Sequence, residues 1–349
     1  MIFLVWSHYW HSGNVLKMKK LLGIVVLGLL LSGNTYTEAK NFELRKVSDK
    51  NAVCNNGELA TYHFAKNNSD KWLIQLPGGG SGWPAKFFKD RNPDLKSPAK
   101  KRKISDSAIA NQFYKLGYNV IWMHYCSSDL YGGNHMNLIE GKQVPFKGRL
   151  IFKSIINDNN KELSEAKDIV VAGTSAGTFG IIFNIIHLKP FDNVRLILDG
   201  VWRDDYQKSA EVKKPDWFYQ TDDWVPYLFD KMPDHCEGDF YKNCWVDRNA
   251  LNKHGIKDAF IIMNYGDPYN FVTKDSQKEK FISSFKSDAL YFGGGFSVDA
   301  KKFKLEGAVK WGHGLLTRSK WYKKKVGGES LSTLINKWVR GEKVIHIRY

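Results

Sequence analysis

The stretch VVAGTSAGTFG, residues 170–180, decides how this chain is read. The apolar run DIVVAG (168–173) stops at Gly173, Ser175 follows, then Gly177, and the continuation AGTFGIIFNIIHL is compatible with a helix. A strand that turns sharply into a helix, with small residues on either side of a serine, is what a nucleophile elbow requires. The serine then sits at a helix N-terminus, where unpaired main-chain N–H groups favour developing negative charge. The competing reading is a strand-to-helix turn in which Ser175 has no chemical task.

Working outward, KWLIQLP (71–77), YNVIWMHY (118–125), VRLILDG (194–200) and DAFIIMNYG (258–266) are further short apolar runs that read as buried strands. Runs of this kind suit a parallel sheet covered on both faces. Helices are expected at 105–116, 148–157, 175–188, 274–286 and 328–340, with Ser105 or Asp106 capping the first. Strands alternating with helices indicate an α/β fold, a mostly parallel sheet flanked by helices. Two segments interrupt the alternation. Residues 83–104 hold eight Lys or Arg against two Asp, and residues 201–256 are rich in aromatics, among them Trp202, Trp217, Phe218, Trp224 and Tyr227. Both follow strand ends, where ligand crevices form in such sheets, so both read as cap or rim insertions.

A serine hydroxyl needs a base to take its proton. In an α/β arrangement of this type the acid and the histidine follow the serine in the chain. Of the later histidines, His187 lies in the helix after the serine, and His235 and His254 fall in or beside the aromatic insertion. His313, in KWGHGLL, has a glycine on each side and follows the strand-like FKLEGAV, which makes it the expected base. Asp267 comes directly after DAFIIMNYG and before Pro268, and Asp199 ends the strand before that one; Asp267 is the preferred acid, with Asp199 left open. Oxyanion donors are expected from Ala176, the residue after the nucleophile, and from Gly79 and Gly80 in LPGGGSGW (76–83), with Ser81 as a further possibility. A phosphate-binding loop is the rival for this glycine run, but no GKS or GKT follows it. Trp83, Ser128, Asp129 and Trp202 are the candidate substrate-binding residues. The chemistry is acyl transfer, which calls for no metal or cofactor.

The N-terminal region reads as a targeting segment. From Met18 two lysines precede an 11-residue apolar run, Leu21 to Leu31, and small and polar residues lead to Ala39. That run is too short to cross a bilayer, which takes about 20 residues. Residues 1–39 are therefore expected to be a signal peptide with an over-extended start, true start Met18, and 40–349 a single domain. A secreted or periplasmic protein without a stable membrane anchor is expected; an uncleaved anchor is the alternative.

Four cysteines, Cys54, Cys126, Cys236 and Cys244, fit two disulfides in an exported chain. Three pairings are possible; the short spacing of Cys236 and Cys244 favours one local loop, leaving Cys54 with Cys126. No C-x-x-C or paired-histidine spacing points to a metal. The chain carries 52 Lys and Arg against 36 Asp and Glu, a formal net charge of +16, of which residues 1–39 hold only +2. A basic exported protein meets acidic polymers or anionic surfaces, and no nucleic-acid-binding motif is present.

CNNGELATYHF, WLIQLPGGG, HYCSSDLYGG, VVAGTSAGTFG, CWVDRNAL and KWGHGLL together resemble the pectin acetylesterase family. The resemblance runs from about Cys54 to Leu316 and implies an α/β-hydrolase fold with a Ser–Asp–His triad at Ser175, Asp267 and His313. It also implies the pair Cys236–Cys244. The family loop reads EGGGWC, whereas this chain has Pro77 in the acidic position and lacks the loop cysteine. The resemblance implies hydrolysis of carboxylic esters; the expected substrate is an O-acetyl group on a polysaccharide, and the basic rim favours an acidic one. The alternatives are a lipid or long-chain acyl esterase with the same mechanism, the aromatics of 201–256 lining its pocket, and a non-catalytic polysaccharide-binding protein.

Overall fold

The computed structural model describes residues 41–202, 226–236, 244, 246, 248–264, 289–293, 313–317, 319–323, 325, 326 and 328–348. Its strands are β1 (Glu43–Lys46), β2 (Thr61–Ala65), β3 (Lys71–Leu76), β4 (Asn119–Met123), β5 (His135–Ile139), β6 (Lys142–Phe146), β7 (Asp168–Thr174), β8 (Val194–Asp199), β9 (Ala259–Asn264), β10 (Ala289–Gly293), β11 (Lys325–Val326), β12 (Glu329–Ser330) and β13 (Ile345–Arg348). Nine of them form one sheet in the order β1-β2-β4-β3-β7-β8-β9-β10-β13. β1, β2 and β4 pair antiparallel; every pairing from β4 through β3 to β13 is parallel. β7, the strand that delivers Ser175, lies between β3 and β8 near the middle of the sheet.

The apolar runs become strands because both faces of the sheet are covered. Leu73, Ile74, Val170, Val171, Leu196 and Ile197 are all completely inaccessible to solvent. Each such aliphatic side chain contributes about 1.5–3 kcal/mol on burial. Their side chains alternate between two apolar clusters, one on each face. Helices α1 (Ala85–Lys89), α2 (Ala108–Lys115), α3 (Gly148–Asp158), α4 (Asn160–Ser164), α5 (Ala176–Phe183), α6 (Arg248–Lys253), α7 (Ser319–Lys323) and α8 (Leu331–Val339) accompany the sheet. α8 buries Leu331, Leu334, Ile335 and Trp338, one stripe at helical spacing, and Ser330 caps it by accepting from the Thr333 N–H. α5 buries seven of its eight residues, which makes it a core helix without a polar face.

The expected helix at 105–116 starts later. Residues Ile104–Asp106 form a 3-10 turn, and the N-cap of α2 is Ser107, whose hydroxyl accepts from Ala110 N–H; Ser105 and Asp106 do not cap it. The Asp106 carboxylate instead accepts the Lys103 N–H. The helix after Ser175 runs to Phe183 and then tightens into a 3-10 turn at Ile185–His187. The strand-like FKLEGAV and the helix expected at 274–286 lie outside the described residues, as do residues 1–40. Among the described residues no helix is long and apolar enough to cross a membrane.

Candidate active site

The turn between β7 and α5 holds Ser175 at φ 53° and ψ −116°. A side chain rarely occupies this region, and a non-glycine residue there is held by its surroundings at a cost of order 1–3 kcal/mol. The glycine after it is dictated by close approach. A Cβ on Gly177 would overlap the Leu76 carbonyl oxygen, so α5 can pass β3 only with hydrogen at that position.

Asp199, the last residue of β8, ties the elbow to the histidine loop. Its main-chain carbonyl accepts from the Ser175 N–H at 2.9 Å and from the Thr178 hydroxyl at 3.1 Å. Its buried carboxylate accepts the Leu316 N–H at 2.9 Å, three residues beyond His313. The half-buried His313 ring lies against Gly200, where an added Cβ would meet Cε1 at 2.9 Å and Nδ1 at 3.0 Å. Gly314 (φ 74°) packs against the Thr174 side chain on the same strand end as Ser175. The structure therefore brings the His313 loop and the serine elbow to neighbouring strand ends. Asp267 lies outside the described residues.

The glycine loop after β3 approaches the same place. A Cβ on Gly78 would lie 3.0 Å from the Ser175 Cβ and 2.8 Å from the Thr174 carbonyl oxygen. Three carbonyls of the loop are held from behind. The Tyr131 hydroxyl donates to the Pro77 carbonyl at 3.1 Å, Arg91 Nη1 to that of Gly79 at 2.7 Å, and the Tyr125 hydroxyl to that of Gly80 at 2.8 Å. Those donors form one cluster, since Tyr125 stacks on Tyr131 (centroids 4.5 Å apart) and Arg91 Cζ is 4.9 Å from the Tyr125 ring centroid. Across a trans peptide the N–H points away from the C=O, so the N–H groups of Gly78, Gly80 and Ser81 are turned away from this cluster. Ala176 is the first residue of α5, and helices leave the N–H groups of their first turn without an intrahelical acceptor.

Ser128 and Asp129 lie inside the protein, with no accessible surface. The Asp129 carboxylate accepts from the Ser127 hydroxyl (2.6 Å) and from the N–H groups of Tyr131 (3.0 Å), Gly133 (3.2 Å) and Gly148 (2.7 Å). Burial raises its pKa to about 7, against these hydrogen bonds, which lower it. The Ser128 hydroxyl donates to Asn55, and its carbonyl accepts the Gly82 N–H at 2.6 Å, so this segment braces the glycine loop from below. Trp83 is half-buried with its ring 5.1 Å from that of Tyr227, and Trp202 is buried just after β8.

Both expected disulfides are formed, Cys54–Cys126 and Cys236–Cys244. The first ends one residue before Ser127 and so anchors the segment that braces the glycine loop. Among the described residues one group of metal-ligating side chains converges, His235 with Cys236 and Cys244, and the disulfide consumes both of its thiols. Two cavities, of about 500 and 200 Å³, lie along α3 and include none of the candidate site residues. Arg91, Tyr125, Tyr131 and the anchoring carboxylate of Asp199 were not singled out by sequence for these contacts. Their only signal was membership of the basic insertion, of the HYCSSDLYGG stretch and of a strand end.

The chain is similar along much of its length to known carboxylesterases. It is 25% identical to palmitoleoyl-protein carboxylesterase NOTUM of Schmidtea mediterranea over 348 residues, covering 86% of this chain and 64% of that protein. With the human protein of the same name it shares 26% over 187 residues (47% of this chain, 36% of that one), and with Arabidopsis thaliana pectin acetylesterase 7 it shares 24% over 176 residues (47% and 43%). The chain thus spans less than two thirds of the length of these curated relatives. In fold it matches the structure of the Wnt deacylase Notum from Drosophila, with a TM-score of 0.63 at 17% identity over 89% of this chain and 97% of that one. The strand order and parallel register are those of an α/β-hydrolase-like sheet. The sequence model described as pectinacetylesterase matches residues 34–271, more than half of the 349, and the chain belongs to the pectinacetylesterase family.

Proposed function

We propose that this chain is an exported serine carboxylesterase that removes O-acetyl groups from a polysaccharide. The observation that carries the proposal is the strained Ser175 (φ 53°), at a strand end that also receives the His313 loop and the glycine loop. In this reading the His313 imidazole takes the Ser175 hydroxyl proton as the oxygen attacks the ester carbonyl. The oxyanion is held by the N–H of Ala176 and by N–H groups of the Gly79–Gly80 segment. Collapse of the tetrahedral intermediate expels the alcohol, which receives the proton from the imidazolium, and leaves an acyl-serine. Water, deprotonated by the same imidazole, attacks that ester and releases the carboxylic acid. Asp267 orients His313 and stabilises its charged form. No step requires a metal or cofactor.

The substrate class follows from charge and kinship. The basic segment 83–104 and a net charge of +14 over residues 40–349 favour an acidic polymer, and one relative is named a pectin acetylesterase. The planarian relative is named a palmitoleoyl-protein carboxylesterase and matches more of the chain, which supports a second reading in which the acyl group is long. Hydrolysis of p-nitrophenyl acetate, butyrate, octanoate and palmitate by residues 40–349 separates the two. The acetyl reading expects kcat/KM to fall as the chain lengthens; a rise toward octanoate or palmitate overturns it in favour of the long-chain reading.

A further inference from the structure

Arg91 is a buried cation whose hydrogen bonding is incomplete. The residue is 8% exposed, Nη1 donates to the Gly79 carbonyl at 2.7 Å, and Nε and Nη2 are buried with no hydrogen-bond partner among the described residues. Burying a charged group without full pairing is costly, and a surface arginine of the same basic segment would avoid that cost. The guanidinium lies instead over the Tyr125 ring (4.9 Å to the centroid), and a Cβ on Gly79 would come within 3.3 Å of Nη2. Tyr125 itself donates to the next carbonyl, that of Gly80, and receives the Leu130 N–H at 2.7 Å. The cation therefore bears on one peptide, Gly79–Gly80, from the side opposite its N–H.

We propose that Arg91 is a positioning residue for the oxyanion site: through the Gly79 carbonyl its guanidinium fixes the Gly79–Gly80 peptide and strengthens the Gly80 N–H as a donor. The inference rests on the esterase reading above. A peptide whose C=O is held by a cation is polarised along the C=O···N–H direction; Arg91 and Tyr125 are buried behind this one, while Gly79 and Gly80 themselves are exposed. The Gly80 N–H is then aimed before substrate arrives, so no reorientation is needed as negative charge develops on the carbonyl oxygen. Gly80, at φ 71°, gains its fixed orientation from the hydrogen bonds at Gly79 and Gly80. Arg91 touches no reacting atom in this scheme.

The test compares Arg91→Lys and Arg91→Met with wild type and with Ser175→Ala in the mature chain. The readouts are kcat and KM for p-nitrophenyl acetate, inhibition by 2,2,2-trifluoroacetophenone, which places an oxyanion in the site when serine adds to it, and thermal unfolding. The proposal expects kcat to fall roughly 10-fold in the Lys variant and roughly 100-fold in the Met variant, with KM within about threefold of wild type; loss of a direct oxyanion donor costs about 10²–10³. The inhibition constant should rise by the same factor as kcat/KM falls. A folded Met variant with kcat within twofold of wild type overturns the proposal, as does a loss of kcat with unchanged inhibition. Should the Met variant fail to fold, the Lys variant decides: wild-type kcat and inhibition overturn the proposal. Turnover retained in Ser175→Ala removes Ser175 as the nucleophile and with it the mechanism on which the inference rests, an outcome distinct from any result with Arg91.

Discussion

The carboxylate of Asp199 accepts the main-chain N–H of Leu316 at 2.9 Å, while the carbonyl of the same residue accepts the N–H of Ser175 at 2.9 Å. One residue at the end of β8 thus fixes the spacing between the elbow and the loop that carries His313. Through this contact the Asp199 carboxylate acts on the loop backbone, and the proposed orienting acid is Asp267. Asp267→Asn is expected to lower kcat by about 10²–10⁴, as loss of the orienting acid does in other serine hydrolases. Asp199→Asn, which keeps an acceptor for Leu316, is expected to cost about 10-fold or less. Steady-state kinetics of the two variants side by side checks this, and the reverse order would assign the acid to Asp199.

The backbone of Ser175 is strained at φ 53°, in a region that glycine enters freely. Ser175→Gly removes both the hydroxyl and the strained Cβ. It is expected to abolish turnover while raising stability by about 1 kcal/mol, a rise in Tm of a few degrees. A differential scanning measurement in which the glycine variant melts below wild type contradicts the strain argument.

Asp129 receives four hydrogen bonds on two oxygens, and all four partners are donors. An amide in its place turns an NH₂ group toward two of those donors. Asp129→Asn is therefore expected to destabilise the protein by about 2–4 kcal/mol, the cost of leaving buried donors unpaired. Urea unfolding of the variant reads this directly; a midpoint equal to wild type would show that the segment does not depend on the carboxylate.

His254 is buried and His124 and His187 are half-buried, and their titration weakens the fold in acid. Burial, the largest cause, lowers the pKa of His124 from the usual 6.5 to about 4, although its Nε2 lies 2.9–3.0 Å from the carbonyls of Ser97 and Asp94. His187 and His254 are likewise lowered to about 4, again chiefly by burial. A folded-state pKa below the unfolded one means that the unfolded chain binds more protons, so the stabilisation is full above about pH 6.5 and is lost as pH falls toward and through 4. Tm should drop by roughly 5–10 °C between pH 7 and pH 4.5. His124→Asn should flatten that slope, and an unchanged Tm across the range contradicts the argument.

The central strands were legible because their apolar runs are continuous. DIVVAG and VRLILDG suit a sheet covered on both faces, and the glycines around Ser175 mark the sharp turn from the first of them into a helix. β1 and β2, at one edge, and β10 and β13, at the other, escaped notice: they are short, and IHIR or ELRK mixes charge with apolar residues. The cap of α2 was misplaced because the Ile104–Asp106 turn comes first, a detail of main-chain geometry that residue type does not reveal. Among candidate site residues, Ser175 and His313 stood out in the sequence by their flanking glycines. Arg91 was not, since its contact with Gly79 joins positions 12 apart through folding alone, and in sequence it is one of eight cations in a basic segment. Ser128 and Asp129 stood out as a motif, but their complete burial depends on packing that no local pattern encodes.

Ser175 is the nucleophile of the proposed esterase mechanism. Its most direct test is release of p-nitrophenol from p-nitrophenyl acetate by the mature chain and by Ser175→Ala, with thermal unfolding of both. Alanine keeps the Cβ and the main-chain contacts of the elbow, so the variant should melt within a few degrees of wild type. Turnover by the wild type and a loss of at least about 10³ in kcat in the variant are expected. A folded Ser175→Ala protein that hydrolyses the ester as wild type does would contradict that role for Ser175.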